Sequence, residues 1–351
     1  MSNTIGTIFR FTIWGQSHAP EIGVTIEGLP AGILIDQEKL QKFLDRRRPG
    51  QDAYSSPRKE DDRVFFSAGL NEKSVTVGAP VTAVIRNTNI RSGDYEELRY
   101  IPRPGHADYP AMVRFGEARD YAGGGQFSGR MTAPLCIAGG IALQLLEAAG
   151  VSISARTVMI GGETEEEKML AAVEAAKADG DSVGGVIECV IRHLPAGIGE
   201  PMFDGIENRI AQTVFGIPAV KGIEFGDGFA CASVRGSENN DPYYFEDGRV
   251  QTRTNHAGGI YGGMTSSMPV VFRAALKPTP SIAKEQESID IRNGESVRIS
   301  VRGRHDPCIA RRAVPAVEAA AAAAILDEMM MAGIRFENCP AGGQREKNNG
   351  T

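Results

Sequence analysis

Four of the five histidines stand in glycine- or arginine-rich, turn-like strings: His18 in WGQSHAP, His106 in RPGHADYP, His256 in NHAGGIYGG and His305 in GRHDPC. Imidazole changes charge near neutral pH, so histidines held on turns suit proton transfer at a bound molecule, although each could equally cap a turn or pair with a carboxylate. Arginine is the second theme: Arg46-Arg47-Arg48 before Pro49-Gly50, then Arg58, Arg103, Arg119, Arg130, Arg304 and Arg311-Arg312. A planar guanidinium grips carboxylate or phosphate with two N–H groups, so arginines beside glycines suit a small polyanion. The 46–48 run also fits a solvated helix end favoured by the macrodipole. Third, DYAGGGQFSGR (120–130) leads straight into an apolar helix, offering backbone N–H groups and a helix N-terminus to an anion. It is neither a Walker loop nor a dinucleotide fingerprint. LKPTPS (276–281) adds a stiff, hydroxyl-bearing turn.

The elements that must hold these groups read as two similar halves. GVTIEGLPAGILIDQEKLQKFLDRRR from Gly23 and GVIECVIRHLPAGIGEPMFDGIENRI from Gly185 share Leu-Pro-Ala-Gly-Ile, at Leu29 to Ile33 and Leu194 to Ile198. In each, an alternating run predicts a strand, Pro-Ala-Gly a turn, and the following pattern an amphipathic helix. The first helix has Asp36 as N-cap, Leu40, Phe43 and Leu44 on its apolar face, and a stop at Pro49-Gly50. Arg130-x-x-x-Pro134 and Arg311-x-x-x-Pro315 each open a long helix of small apolar residues, about Ala133 to Ala149 and Ala313 to Met331, of the kind that lies inside a molecule. Val75 to Ile85, Gly222 to Val234, Pro269 to Ala275 and Val297 to Val301 read as strands, and Thr164 to Ala178 as a surface helix stopped by Gly180. The tail from Pro340 to Thr351 has a disordered composition.

Composition narrows the class. With 42% hydrophobic and 23% charged residues, the 351-residue chain is globular, and its net charge of -6 argues against a nucleic-acid binder. The five cysteines lack metal or redox spacing, the N-terminus lacks a signal core, and no uncharged stretch is long enough for a bilayer, so a cytoplasmic protein without metal is expected.

In order, these strings resemble the chorismate synthase family: Gly-x-Ser-His, the arginine-rich helix end, RPGHADY, the triple-glycine loop, NHAGGI, Lys-Pro-Thr and GRHDPC, from about Thr4 to about Leu326. The resemblance implies an α/β fold, a layered β-α-β sandwich with a pseudo-twofold internal repeat, in one domain over 1–339 with two related halves, assembled as a homotetramer. It implies a carbon–oxygen lyase of the shikimate pathway, serving aromatic amino acid biosynthesis. The reaction is anti-1,4-elimination of phosphate and a ring proton from 5-enolpyruvylshikimate 3-phosphate, needing reduced FMN without net redox change. An external flavin reductase or other donor is then a partner and NADP an associated nucleotide; whether the Arg46 to Arg48 run meets either stays open.

By that resemblance His18 protonates the departing phosphate, His106 faces the flavin, Asp306 helps remove the ring proton, and Ser17 and Ser128 belong to the same site. Arg47, Arg48, Arg103, Arg130 and Arg304 clamp substrate. Gln126, Phe127, Ser128, Pro218, Ala219, Gly262, Lys277, Pro278, Thr279, Pro280, Ser281 and Arg304 contact FMN, several through backbone. The chain departs from the family pattern at Gln16 and Ala19, at Gln126-Phe127, and at Ala53, where relatives carry a basic residue. Two other readings stay open: a flavin oxidoreductase, which would consume NAD(P)H, and a non-catalytic flavin- or phosphate-binding protein, which would leave substrate unchanged.

Overall fold

The computed structural model describes residues 3–48, 50, 61–88, 98–301 and 306–336; Ala53, Arg58, Arg304, His305, Cys339 and the tail 340–351 lie outside the described residues. The first half runs β1 (Thr4–Ile5), β2 (Arg10–Gly15), β3 (Glu21–Glu27), α1 (Gln37–Asp45), β4 (Val64–Ala68), β5 (Val81–Arg86), α2 (Asp108–Phe115) and α3 (Thr132–Ala148). The second runs β6 (Ser152–Ile160), α4 (Glu166–Ala178), β7 (Gly185–Arg192), α5 (Ile206–Phe215), β8 (Val220–Phe225), α6 (Gly236–Asn239), β9 (Tyr243–Glu246), β10 (Arg249–Thr252), β11 (Ile260–Tyr261), β12 (Met264–Thr265), β13 (Val270–Leu276), β14 (Gln286–Asp290), β15 (Glu295–Ile299) and α7 (Ala310–Met331).

Each half builds one antiparallel sheet, in the order β1-β2-β3-β5-β4 and β6-β7-β13-β8. Without the short β1 the two orders are the same path: antiparallel strand pair, helix, edge strand, inner strand, central helix, with α4 inserted between the paired strands of the second half. The central helices α3 and α7 lie side by side, flanked by α1 and α5; α3 packs on β2, β3 and β5, and α7 on β6 and β7. This is the layered sandwich with an internal repeat that the sequence led us to expect.

The repeat extends to single atoms. Gly32 and Gly197, the glycines of the two Leu-Pro-Ala-Gly-Ile turns, sit at φ +91° and +84°, where a side chain would be strained. In the first half the hydroxyl of buried Thr76 accepts from Ile33 N at 2.8 Å and donates to Pro30 O at 2.6 Å. In the second, buried Thr265 accepts from Ile198 N at 3.0 Å and donates to Pro195 O at 2.6 Å. Thr76 precedes the start of β5 at Val81 by the same five residues that separate Thr265 from β13 at Val270.

Local sequence explains the helices. Asp36 caps α1 by accepting from Lys39 N at 2.9 Å, and Leu40 and Leu44 are buried. Gly139 and Gly140 would each weaken α3 by about 1 kcal/mol against alanine, yet both are required by packing. A Cβ on Gly139 would run into the backbone of Ala319 of α7, and one on Gly140 would come to 2.5 Å from Leu40 Cδ1 of α1. The buried alanine run of α7, Ala319 to Ala322, serves the same close approach.

Several expected boundaries are corrected. The run from Val75 is a strand only from Val81, because the chain turns at Gly78 (φ +82°) and Pro80. Gly222 to Val234 is a strand only to Phe225; Gly226 and Gly228 take positive φ and residues Gly228–Ser233 wind into a 3₁₀ turn. The last strand is Glu295–Ile299, ending short of Val301. Helix α7 starts at Ala310, so Pro315 lies inside it. Pro315 deprives the Arg311 carbonyl of its helical donor, in a turn that borders an open cavity where water can replace it. Gly129–Ala148, which includes Arg130 and Glu147, is long and apolar enough to cross a membrane by length and composition, but 72% of its apolar window is buried inside the protein. Cys136, Cys189 and Cys308 are buried free thiols and Cys231 an exposed one; burial pushes the Cys136 thiol up to about 12.

Candidate active site

A cavity of about 410 Å³ opens at the N-termini of both central helices. Its walls come from Gly129, Arg130 and Thr132 at the start of α3, Ile309, Arg312 and Ala313 at the start of α7, and the segments each half inserts between its inner strand and its central helix. Two positive helix ends therefore point into one space.

The first half's insertion carries His106 and the glycine loop. The glycine loop passes between two histidines: a Cβ on Gly123 (φ +64°) would collide with His18 and come to 2.9 Å from Ser17 Oγ, while one on Gly124 (φ +104°) would lie 3.1 Å from His106 Nε2. Ser17 is buried and ties the loop down, its N–H donating to Gly125 O at 3.1 Å and its hydroxyl to Ala122 O at 3.2 Å. Any side chain at these glycines would push the histidines off the loop.

His106 Nδ1 lies 2.6 Å from Asp108 Oδ1, with Arg103 Nη2 3.1 Å from the same nitrogen. Burial opposes ionisation of Asp108, but hydrogen bonds from Arg103 and His106 outweigh it and hold the carboxyl well below its usual range. An ionised carboxylate only accepts, so Nδ1 carries a proton and Nε2 is the nitrogen turned to the glycine loop. Arg103 is itself locked, Nε and Nη2 donating to Asp108 at 2.7 and 2.9 Å and Nη1 to Ser281 Oγ at 3.2 Å.

A second carboxylate organises the other arginines. Asp62, 2% exposed, accepts from Arg47 Nη1 at 2.7 Å and from Arg130 Nη1. Burial again opposes its charge, and the fields of Arg47 and Arg130 with the Arg130 hydrogen bond more than offset it, so its pKa is lowered. Arg47 Nε also donates to Thr132 Oγ1 at 2.8 Å, and Arg130 Nε to Asn87 Oδ1 at 2.9 Å. Arg47, Arg103 and Arg130 are all buried yet reach the cavity wall, so their guanidiniums are oriented before any ligand arrives.

Of the residues singled out by sequence, Arg47, Arg103, His106, Phe127, Ser128, Arg130, Pro218, Ala219, Lys277, Thr279, Pro280, Ser281 and Asp306 line this cavity. His18 and Ser17 stand behind the glycine loop, and Gln126 lies on it. Pro278 faces away, against Gly184. Arg48 pairs with Asp45 at 3.0 Å. Gly262 sits on the β11–β12 hairpin; its neighbour Gly263 packs on Glu200 and Gly205, at the end of α5 opposite Pro218. Arg304 lies outside the described residues. Asp306 is ion-paired with Arg312, whose Nε donates to Arg47 O at 3.2 Å.

Sequence reasoning missed Asp62, Asn87, Asp108, Thr132 and the inward role of Arg312. Asp108 was within reach, two residues after His106 in RPGHADY; the others lie on segments whose pairing is set only in three dimensions. A larger cavity, about 660 Å³, lies beside the first turns of α7 and is lined in part by Arg46, Arg156 and Arg311. Those arginines are matched by Glu318, Glu188 and Glu166, and its lining includes no histidine, so the smaller cavity is the candidate site.

The smaller cavity suits a flat ring carrying a phosphate. The Thr279 hydroxyl, buried on its wall, has no hydrogen-bond partner among the described residues. Phe127, Ile217, Pro218, Ala219 and Ile309 supply an apolar face, and Lys277 reaches across to Gly105 O.

Comparison with known proteins agrees with this chemistry. The chorismate synthase family model matches residues 9–330. A chorismate synthase of Chitinophaga pinensis is 48% identical over 329 residues, covering 94% of this chain and 97% of its own. One of Korarchaeum cryptofilum is 44% identical over 349 residues, covering 93% and 96%. A crystal structure of a chorismate synthase superposes with a TM-score of 0.73 over 93% of each chain at 24% identity, which speaks for the fold. The chain belongs to the chorismate synthase family.

Proposed function

We propose that the cavity at the twin helix ends converts 5-enolpyruvylshikimate 3-phosphate to chorismate and phosphate by anti-1,4-elimination. The observation that carries this reading is the glycine loop held between His18 and His106 beside three buried, carboxylate-locked arginines. The substrate bears two carboxylates and a phosphate, matching a cavity wall in which Arg47, Arg103, Arg130, Lys277 and Arg312 outnumber Asp306 and the carboxylates of Asp62 and Asp108 behind it. His18 donates a proton to the phosphate oxygen as its bond to the ring breaks, and Asp306, with Arg312 beside it, assists removal of the ring proton.

Phe127, Ser128, Pro218, Ala219, Lys277, Thr279, Pro280 and Ser281 would hold reduced FMN, which would supply a transient electron to that elimination. The Thr279 hydroxyl is a ready donor for it. His106, its Nδ1 fixed by Asp108, presents Nε2 to the cofactor side of the loop. Cofactor reduction comes from an external reductase or other donor.

We also read residues 1–339 as one cytoplasmic domain that assembles as a homotetramer. Tyr243 and Phe245, exposed two residues apart on β9, support assembly as an apolar surface that a second copy would cover. Light scattering would count the subunits.

The decisive test is anaerobic: purified protein, chemically reduced FMN and the enolpyruvyl substrate, with chorismate and phosphate measured together. Equal release of both without NAD(P)H consumption is expected. Well-folded, flavin-bound protein that yields no chorismate would overturn the reading.

A further inference from the structure

Arg130 and His18 come from separate segments, and one buried side chain joins them. Asn87, 8% exposed, follows β5 directly. Its Oδ1 accepts from Arg130 Nε at 2.9 Å, and its Nδ2 donates to Ala19 O at 2.7 Å and Gln16 O at 3.3 Å. Its own N–H donates to Pro20 O at 2.9 Å. The amide therefore spends its acceptor on the arginine and both side-chain donors on the loop that carries His18.

We propose that Asn87 is a positioning residue for the reaction: it sets the His18 loop against Arg130, so that the anion clamp and the proton donor keep one register. This rests on the assignment of His18 and Arg130 to the elimination.

The chemistry of the link is specific. Two carbonyls and one guanidinium N–H need a group with two donors and one acceptor, which asparagine supplies in a planar unit and aspartate does not. The loop is gripped from the other side as well, through Ser17 N to Gly125 O, so a change at Asn87 tilts His18 rather than releasing it. Both bonds to the loop run to main-chain carbonyls. Gln16 and Ala19, two of the departures from the family pattern, thus keep the link, because only their main chains take part in it.

Asn87→Asp keeps an acceptor for Arg130 and sets a carboxylate oxygen against the two loop carbonyls. Misplacement of a catalytic group by about 1 Å can cost on the order of 100-fold, so we expect kcat to fall roughly 10- to 100-fold with KM for the substrate and FMN binding near wild type. The diagnostic readout is a double-mutant cycle with His18→Ala under anaerobic single turnover: Asn87→Asp should cost little more once His18 is gone. An equal loss in both backgrounds, or a raised KM with kcat intact, would overturn the inference. If Asn87→Asp does not fold, Asn87→Ser, which keeps one donor, goes through the same cycle and is judged the same way. Wild type making no chorismate would instead sink the function itself, so the two failures are separable.

Discussion

The two halves share a strand path, a turn and a threonine that pins it, yet they give the cavity different things. The first half contributes the charged machinery: His18, the Arg47–Asp62–Arg130 cluster and the Arg103–His106–Asp108 cluster. The second contributes the apolar face at Ile217 to Ala219, the Lys277 to Ser281 turn, and the Asp306–Arg312 pair. The difference lies in what each half places around its helix ends. After α1 the first half has Arg46 to Arg48, and after α5 the second has Gly216, Ile217 and Pro218. Duplication supplied a symmetric frame, and the chemistry resides where the copies are unlike.

The largest way to break this comparison is to remove one acid–base group from each half. His106→Ala and Asp306→Ala should each lower the anaerobic rate by about 10²–10⁴ while far-UV circular dichroism and flavin binding persist. Wild-type turnover in either would take that half out of the proton chemistry. A smaller effect tests the likeness. Thr76→Val and Thr265→Val each leave a turn N–H and a carbonyl unpaired, so each should destabilise by about 1–3 kcal/mol in urea melts. Costs differing by more than the spread of such measurements would mean the turns are alike in shape only.

The smallest effect sharpens a contrast at the far helix ends. Near the end of α3, Glu147 is exposed and pairs with Lys39, whereas near the end of α7 both Asp327 and Glu328 are buried. Asp327 receives N–H bonds from Thr7, Ile8 and Phe9 at 2.7 to 2.8 Å. Burial lifts the Glu328 carboxyl to about 7, Arg209 opposing and Asp327 adding to the rise. With its folded pKa above the unfolded one, the native state holds the extra proton, so stability falls as pH rises from about 4.5 to about 7. Glu328→Gln should therefore melt progressively higher than wild type as pH goes from 5 to 8 in thermal scans, and a pH-independent difference would refute the burial account.

Much of the frame could be read from the chain because its signals are local. The repeated Leu-Pro-Ala-Gly-Ile, the Asp36 cap and the all-round apolar helix each depend on neighbours within a few residues. The pinning threonines could not be found this way, since Thr76 and Thr265 act on turns 43 and 67 residues away in sequence. Val75 to Ile85 failed as one strand for the same reason: Thr76 belongs to the turn, and Gly78 and Pro80 redirect the chain. In the site, motifs exposed the histidines and arginines, whereas Asp62 and Asn87 owe their roles to partners 15 to 71 residues distant along the chain.

The contact of Gly139 with Ala319 reaches further than packing. It lies about 10 Å along α3 from the cavity, seven residues into the helix at 1.5 Å each. By letting two backbones nearly touch, it fixes how far apart the two positive helix ends stand. The focus of the electric field felt by an anionic substrate is thus ground in the dry interior, by an atom that glycine omits, and not by any group the substrate meets.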